Sequence, residues 1–134
     1  MPMTATSPGY LRVDEKGIVR EWDKTMSKYF GYDPDEILGQ SMTILIAKSY
    51  QKRHWKGFRA AIARGAQKFD EPAFNGPLRH KNGTLRMHSM RQFFLRDAFA
   101  NSVGAMLIIG PALIQGEDNG LQSIYTDALE LEDQ

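Results

Sequence analysis

Residues 17–39 read GIVREWDKTMSKYFGYDPDEILG, and several local structural signals follow one another in these residues. The stretch opens with a short run of β-forming residues. A polar turn ending at Gly17 separates that run from a similar one at residues 10–13, so the two runs predict a β-hairpin. Asp23 is then a suitable N-cap for a short helix that Gly31 ends. The DPDE that follows predicts a second short helix with its proline in the first turn.

The rest of the chain predicts one long helix and three strands. Apolar residues recur at helical spacing over 49–64, so this stretch predicts an amphipathic helix. A strand over 69–79, the KNG turn at 81–83 and a strand over 84–95 predict a second hairpin, because Asn-Gly between β-rich runs is a strong hairpin signal. Residues 103–109 are almost wholly apolar, which is typical of a buried strand.

The composition fits one domain and argues against several classes of partner. The chain has 134 residues, of which 42% are hydrophobic and 25% charged, and this suits one domain with one core. Its 17 Lys and Arg nearly balance its 16 Asp and Glu, so no field of one sign favours nucleic acid or an anionic membrane. No window reaches the roughly 18 apolar residues of a membrane span, and no signal peptide is visible. We therefore expect a cytoplasmic protein without nucleic-acid or membrane partners.

The two ends of the chain differ from its middle. Residues 1–9 are small and polar with two prolines, so a flexible lead is expected before a domain over 10–114. Residues 117–134 carry an apolar stripe with acidic residues on the other side, which predicts an amphipathic helix. One small domain need not cover such a stripe, so we expect a homodimer formed through this helix. The alternative is that the helix folds back over its own sheet.

Four motifs, in this order, resemble the PAS family. They are the stretches 17–23 (GIVREWD), 30–32 (FGY), 36–39 (EILG) and 81–84 (KNGT). Each motif is weak alone, but together they are specific. The resemblance implies an α+β fold: a single PAS domain whose antiparallel five-stranded sheet and short helices on one side enclose a pocket, followed here by the C-terminal amphipathic helix. Asp23 stands where the family often has Asn, which is a conservative departure.

One histidine stands in the register of a cofactor ligand. Haem-binding PAS members hold the iron with a histidine on the long helix, in a stretch that looks like Arg53-His54. The spacing from His54 to Gly83 also resembles that of haem-binding oxygen sensors. The resemblance therefore implies haem b as the cofactor and His54 as the metal ligand. Flavin is less expected, because the chain has no cysteine to form the adduct of the flavin photoreceptors.

The alternative for His54 is a hydrogen-bonded core residue, as in many PAS domains that bind no haem. The predicted cofactor-binding residues are His54, Tyr50, Phe58, Phe69, Phe74, Met90, Leu107 and Ile109. Phe74 occupies the register in which oxygen-sensing relatives have an arginine, which weakens an oxygen-sensor interpretation. Met90 offers a thioether that could close the sixth iron position.

Polar residues alternate along the predicted strand over 84–95. The candidates for catalysis or ligand binding are Arg86, His88 and Gln92. The resemblance places Gln92 on the ligand side, and strand alternation then puts the other two on the same face. A polar or anionic ligand would satisfy these groups once they are buried. The alternative is that Arg86 and His88 lie at the exposed end of the strand or in a subunit contact. His80, beside the preceding turn, is expected to be exposed to solvent.

Two main classes of function follow. The first is a sensor or ligand-binding module whose haem pocket takes a diatomic gas or a small polar metabolite. The second is a stand-alone haem-dependent PAS enzyme that degrades a small anionic nitro compound such as N-nitroglycine. A cofactor-free interaction module is a further alternative. The sequence shows no recognisable motif for a catalytic triad, a carboxylate pair or a phosphate-binding loop. An enzyme is therefore not expected without a cofactor.

Overall fold

The computed structural model describes residues 7–64 and 73–113. The elements in this part of the chain are β1 (Gly9–Val13), β2 (Val19–Trp22), α1 (Lys24–Phe30), α2 (Pro34–Ile37), the 3-10 helix η1 (Met42–Leu45), α3 (Lys48–Arg64), β3 (Phe74–Arg79), β4 (Leu85–Arg96) and β5 (Ser102–Ala112). The strands form one sheet in the order β2-β1-β5-β4-β3, and all of its pairs are antiparallel. The predicted α+β class, with a five-stranded sheet in a single domain, is confirmed.

The short helix α1 begins and ends where its capping residues predict. Asp23 is the N-cap, and its Oδ1 accepts a hydrogen bond from the Met26 amide at 2.9 Å. Gly31 has φ 91° and donates its amide to Ser27, which glycine allows because it has no Cβ. Met26 and Phe30 are the buried residues of this helix. Both caps therefore fix the position of Phe30, whose side chain is buried in the core.

The core lies on one face of the sheet, under the helices. Its members include fully buried residues of the first hairpin and apolar residues of α1, α2 and η1. Trp22 is buried in this core, and its Nε1 donates a hydrogen bond to the Tyr32 carbonyl at 3.0 Å. Buried apolar area of this kind is the main source of stability in a small domain.

The element boundaries differ slightly from the sequence predictions. β3 is described from Phe74 onward, since residues 65–72 lie outside the described part. β5 extends beyond the predicted 103–109 at both ends, and β1 begins at Gly9, inside the predicted lead. The predicted helix over 117–134 lies outside the described residues. No helix in the described ranges is long and apolar enough to cross a membrane.

Candidate functional site

A cavity of about 170 Å³ lies between the inner face of the sheet and the helices α3 and η1, and it is partly open to solvent. Its wall is mostly apolar. The lining residues are Leu11, Met42, Leu45, Ile46, Tyr50, His54, Phe74, Gly76, Pro77, Leu78, Met90, Gln92, Leu107 and Ile109. A concave apolar wall with a few polar groups is the usual form of a small-ligand site.

His54 brings an imidazole to this wall from α3. The side chain is partly buried, and its Nδ1 atom is fully buried without a hydrogen-bond partner. Its ring packs edge-on against Trp55, with ring centres 4.8 Å apart, and stacks on Phe58 at 6.1 Å. Burial lowers the pKa of His54, because taking the charged ring out of water is unfavourable. The imidazole is therefore neutral at pH 7, with a nitrogen that the described protein does not satisfy.

Met90 and Gln92 reach the cavity from β4. The register pairs Met90 with Ile109 and Gln92 with Leu107, and all four residues line the cavity. Met90 also pairs with Phe74 on β3. Directly paired residues of an antiparallel sheet share a face, so the inward face of β4 is the one that the family resemblance implied.

The structure brings most of the predicted cofactor-binding set together. The predicted residues that line the cavity are Tyr50, His54, Phe74, Met90, Leu107 and Ile109. Phe58 is buried and contacts the His54 ring instead of lining the cavity, and Phe69 lies outside the described residues. Sequence reasoning missed the contributions of β1 and η1, including Leu11 and Met42. Residues 40–47 have no clear periodic pattern, so little in the sequence pointed to η1.

The three polar candidates of β4 do not converge on the cavity. Gln92 lines it, whereas Arg86 and His88 are not among its lining residues. Arg86 is exposed and pairs with Leu78 near the end of β3. Arg86 therefore lies at the exposed end of its strand, which was the alternative to a position facing the ligand. His88 is fully buried but contacts another histidine.

His80 was expected to be exposed to solvent, and that prediction is wrong. Only 9% of its surface is exposed, and its Nε2 lies 2.9 Å from the Nε2 of His88. The rings of both histidines pack on Phe30, with centre distances of 4.5 and 4.9 Å. The turn that exposes Lys81 and Asn82 leaves His80 on the inner side, because the residue before the turn still follows the alternation of β3.

No group of three or more potential metal ligands of the His, Cys, Asp and Glu types occurs within residues 7–64 and 73–113. A site that needs several protein ligands, such as a structural zinc site, is therefore not found in the described part of the chain. Haem iron differs in this respect, because a single protein histidine can hold it.

Comparison with known proteins identifies the fold family. The family described as the PAS fold matches residues 3–91. No curated protein sequence matches the chain significantly. Among solved structures, the PAS domain of a Colwellia psychrerythraea protein is similar with a TM-score of 0.62 and 17% identity, over 76% of this chain and 83% of that chain.

Two further similar structures carry information about ligands in their own proteins. The PAS domain of the Cronobacter turicensis quorum-sensing receptor RpfR, in complex with BDSF, has a TM-score of 0.58 and 13% identity over 81% of this chain and 95% of that chain. The LOV domain of the blue-light photoreceptor Aureochrome1 has a TM-score of 0.62 and 16% identity over 92% of this chain and 86% of that chain. At such identities the likeness shows the fold alone. Since the family match also covers more than half of the chain, this protein belongs to the PAS fold family.

Proposed function

We propose that this domain is a ligand-binding sensor module whose cavity takes a small, largely apolar molecule with one polar group. The observation that carries the proposal is the neutral His54 ring, which stands on an apolar wall with its Nδ1 unsatisfied. A buried polar atom without a partner is costly and uncommon in a native protein. A ligand whose polar group meets this nitrogen, with the ring turned so that Nδ1 faces the cavity, would remove this cost. Gln92, on the same wall, offers a second polar contact.

The volume of the cavity limits the size of the ligand. At about 170 Å³ it is close to an apolar cavity of about 150 Å³ that binds benzene. It is below the range of about 300 to 1,000 Å³ that is usual for drug-sized ligands. Without movement of the wall, the cavity therefore suits a single substituted ring or a short chain. The RpfR domain, which was solved with BDSF, supports the general idea that this fold can hold a small signal molecule.

NMR of the methionine methyl groups tests whether the cavity binds such molecules. Met42 and Met90 line the cavity, whereas Met26 is buried in the core outside it. With benzene and phenol as probes, we expect saturable shifts at the methyl groups of Met42 and Met90 and little change at Met26. Equal small shifts at all three methyl groups, or none up to millimolar probe, would contradict a binding cavity.

A second candidate occupant is haem b, and the same histidine favours it. The donor chemistry fits, because a neutral imidazole with a free nitrogen is an axial ligand of haem iron. His54 would hold the iron, and Gln92 would supply a hydrogen-bond donor on the cavity wall. Bound haem would supply a site for a diatomic gas, or redox chemistry. The cavity is smaller than a macrocycle, so wall side chains such as Met42 and Met90 would have to move, and methionine adapts readily.

An absorption spectrum of the protein mixed with one equivalent of hemin tests this second candidate. We expect a shifted Soret band that saturates at one haem per chain and is lost in His54→Ala. The matched control is His80→Gln, which changes a buried histidine that does not line the cavity. An unchanged Soret band in His54→Ala would remove His54 as the ligand. The absence of any band shift in the wild type would remove haem while leaving the small-molecule proposal intact.

The enzyme alternative has less support from the site. An anionic nitro substrate would be expected to pair with a cationic side chain, and within residues 7–64 and 73–113 no Arg or Lys lines the cavity. Arg86, the candidate for this role, is exposed. Nitrite release from N-nitroglycine by the haem-loaded protein would be the observation that restores this alternative.

A further inference from the structure

The histidine pair formed by His80 and His88 lies beside the cavity but is not part of it. His80 follows β3, and His88 is on β4, opposite the cavity-lining Gly76. The two Nε2 atoms are 2.9 Å apart, which is the length of a good hydrogen bond. His88 is fully buried and His80 nearly so. The positions of the protons on these two buried rings therefore determine which hydrogen bonds the pair can make.

Each ring of the pair also hydrogen-bonds a backbone carbonyl. The Nδ1 of His88 lies 2.8 Å from the carbonyl oxygen of Gly110 on β5, so it must carry a hydrogen. His80 also bonds the backbone of Tyr29, and this bond favours the protonated ring, so a carbonyl accepts there as well. The pair therefore connects the end of α1 to β5 through three consecutive hydrogen bonds.

Counting protons shows that the neutral pair cannot make all three bonds. Each neutral imidazole has a single N–H, and both are used by the two carbonyls. The Nε2 atoms would then face each other with two lone pairs and no hydrogen. One additional proton, placed between His80 and His88, completes the set. A pair with one positive charge is therefore the state in which every ring nitrogen is satisfied.

The geometry favours a proton over a metal ion between the rings. The ring centres are 5.1 Å apart, which is close to the 2.9 Å contact plus the two ring radii, so the nitrogens point at each other head-on. A head-on metal would need two bonds of about 2.0 Å on one line, which is longer than the observed contact. Positive charge nearby also disfavours a metal, since Arg86 lowers the pKa of both rings.

The surroundings of the pair make its two protons bind at different pH values. Burial, followed by the charge of His88 and that of Arg86, lowers the pKa of His80 to about 4. Burial also lowers the pKa of His88, although the bond to Gly110 opposes this effect. Coupled groups of this kind titrate in steps that belong to the pair. The titratable and charged side chains that face the pair are Tyr29 of α1 and Arg86 of β4, and Lys28 and Lys81 line the groove beside His80.

We propose that His80 and His88 act as one proton-binding unit, which fastens the end of α1 to the sheet and releases it when a second proton enters the pair. The first proton enters only below pH 6.5, because burial lowers the pKa of both rings, and it completes the hydrogen-bonded chain. The second leaves two N–H groups facing each other, so the rings must separate. The adjoining backbone bond from the Lys81 amide to the Phe30 carbonyl, at 2.8 Å, then opens with them. The domain would thereby respond to acid at a contact that is separate from the ligand cavity.

Histidine NMR of the 134-residue chain tests the titration. The chain has three histidines, so the ring nitrogens of the pair can be followed with His54 as an internal reference. Between pH 7.5 and 3.5 we expect two steps that belong to the pair, the second of them near pH 4. Titration of both rings in one step near the ordinary value of 6.5 would overturn the proposal.

Amide hydrogen exchange tests the release of α1. Protection of the Lys81 amide should fall at least about tenfold across the second step. The Val19 amide, bonded to Gln40 at 2.9 Å and distant in sequence from the pair, should keep its protection. In His80→Gln the pair cannot take a second proton, so Lys81 should stay protected. Two results in the wild type would contradict the proposal: loss of protection at both amides together, or constant protection of Lys81. Neither result depends on whether the variant folds.

Discussion

His54 on α3 and Gln92 on β4 line the same apolar cavity, although they are 38 positions apart in the chain. Among the described residues that form its wall, these two and Tyr50 are the polar side chains. The ring of His54 is kept neutral by burial and has a nitrogen without a partner in the described protein. In the proposed function, the ring of His54 is the polar group that a ligand recognises. The first prediction tests this role.

Replacing His54 by leucine should weaken ligand binding without lowering the stability of the ligand-free protein. The substitution removes an unsatisfied buried polar atom and keeps apolar volume, so the free energy of unfolding without ligand should rise or stay within about 1 kcal/mol. Affinity for a polar ligand should fall instead. Chemical denaturation with and without probe measures both quantities. A large loss of stability in the ligand-free protein would show that His54 has a structural partner.

Gly104 in β5 should tolerate no side chain. Its φ is 134°, and a Cβ there would lie 2.0 Å from the carbonyl oxygen of Val13. Gly104→Ala should therefore cost about 3 kcal/mol or more. The matched control is Gly83→Ala, where φ is also positive but nothing lies within 4 Å, and the cost should be about 1 kcal/mol. Equal costs in urea unfolding would contradict the crowding at Gly104.

Acid should destabilise the fold before the carboxylates titrate. Burial lowers the folded-state pKa of His54 and His88, and lowers that of His80 to about 4, from 6.5. The unfolded chain therefore binds more protons below pH 6.5, so the stability present at higher pH is lost as pH falls towards 4. The slope is at most about 1.4 kcal/mol per pH unit for each histidine. Urea unfolding at intervals from pH 7.5 to 4.5 should show this decline, with a smaller slope in His80→Gln. A flat profile would contradict it.

The homodimer remains a prediction of the sequence. It rests on the apolar stripe at residues 121–131, which lies outside the described residues. Light scattering at micromolar concentration should give twice the chain mass of 15.2 kDa, and a protein that ends at residue 113 should be a monomer. A monomer mass for the full chain would rule out pairing through this segment.

Local sequence signals predicted the fold well, because its turns and caps depend on few residues. Asp23 and Gly31 bound α1 as expected, and the KNG turn joins β3 to β4. The site was predicted less completely. The family resemblance, and not alternation alone, placed Met90 and Gln92 on the inward face of β4, and both line the cavity. Alternation then put Arg86 on the same face, although Arg86 is exposed.

The histidine pair could not have been predicted from spacing. His80 looked like a turn residue, and its burial depends on Phe30, which is 50 positions earlier. Contacts of this kind arise from the packing of α1 against the sheet. The contribution of η1 to the cavity was missed for a similar reason, since a short 3-10 helix has no periodic pattern long enough to recognise.

The relative affinity of phenol and benzene, in wild type and in His54→Leu, tests the ligand proposal most directly. In a purely apolar cavity phenol binds less well than benzene, because its hydroxyl loses water and gains no partner. If the cavity recognises a polar group through His54, wild-type protein should bind phenol at least as tightly as benzene. The ratio should then shift towards benzene by about tenfold in His54→Leu, as expected for one hydrogen bond of about 1.4 kcal/mol. The same ratio in both proteins would contradict the role of His54 in ligand recognition.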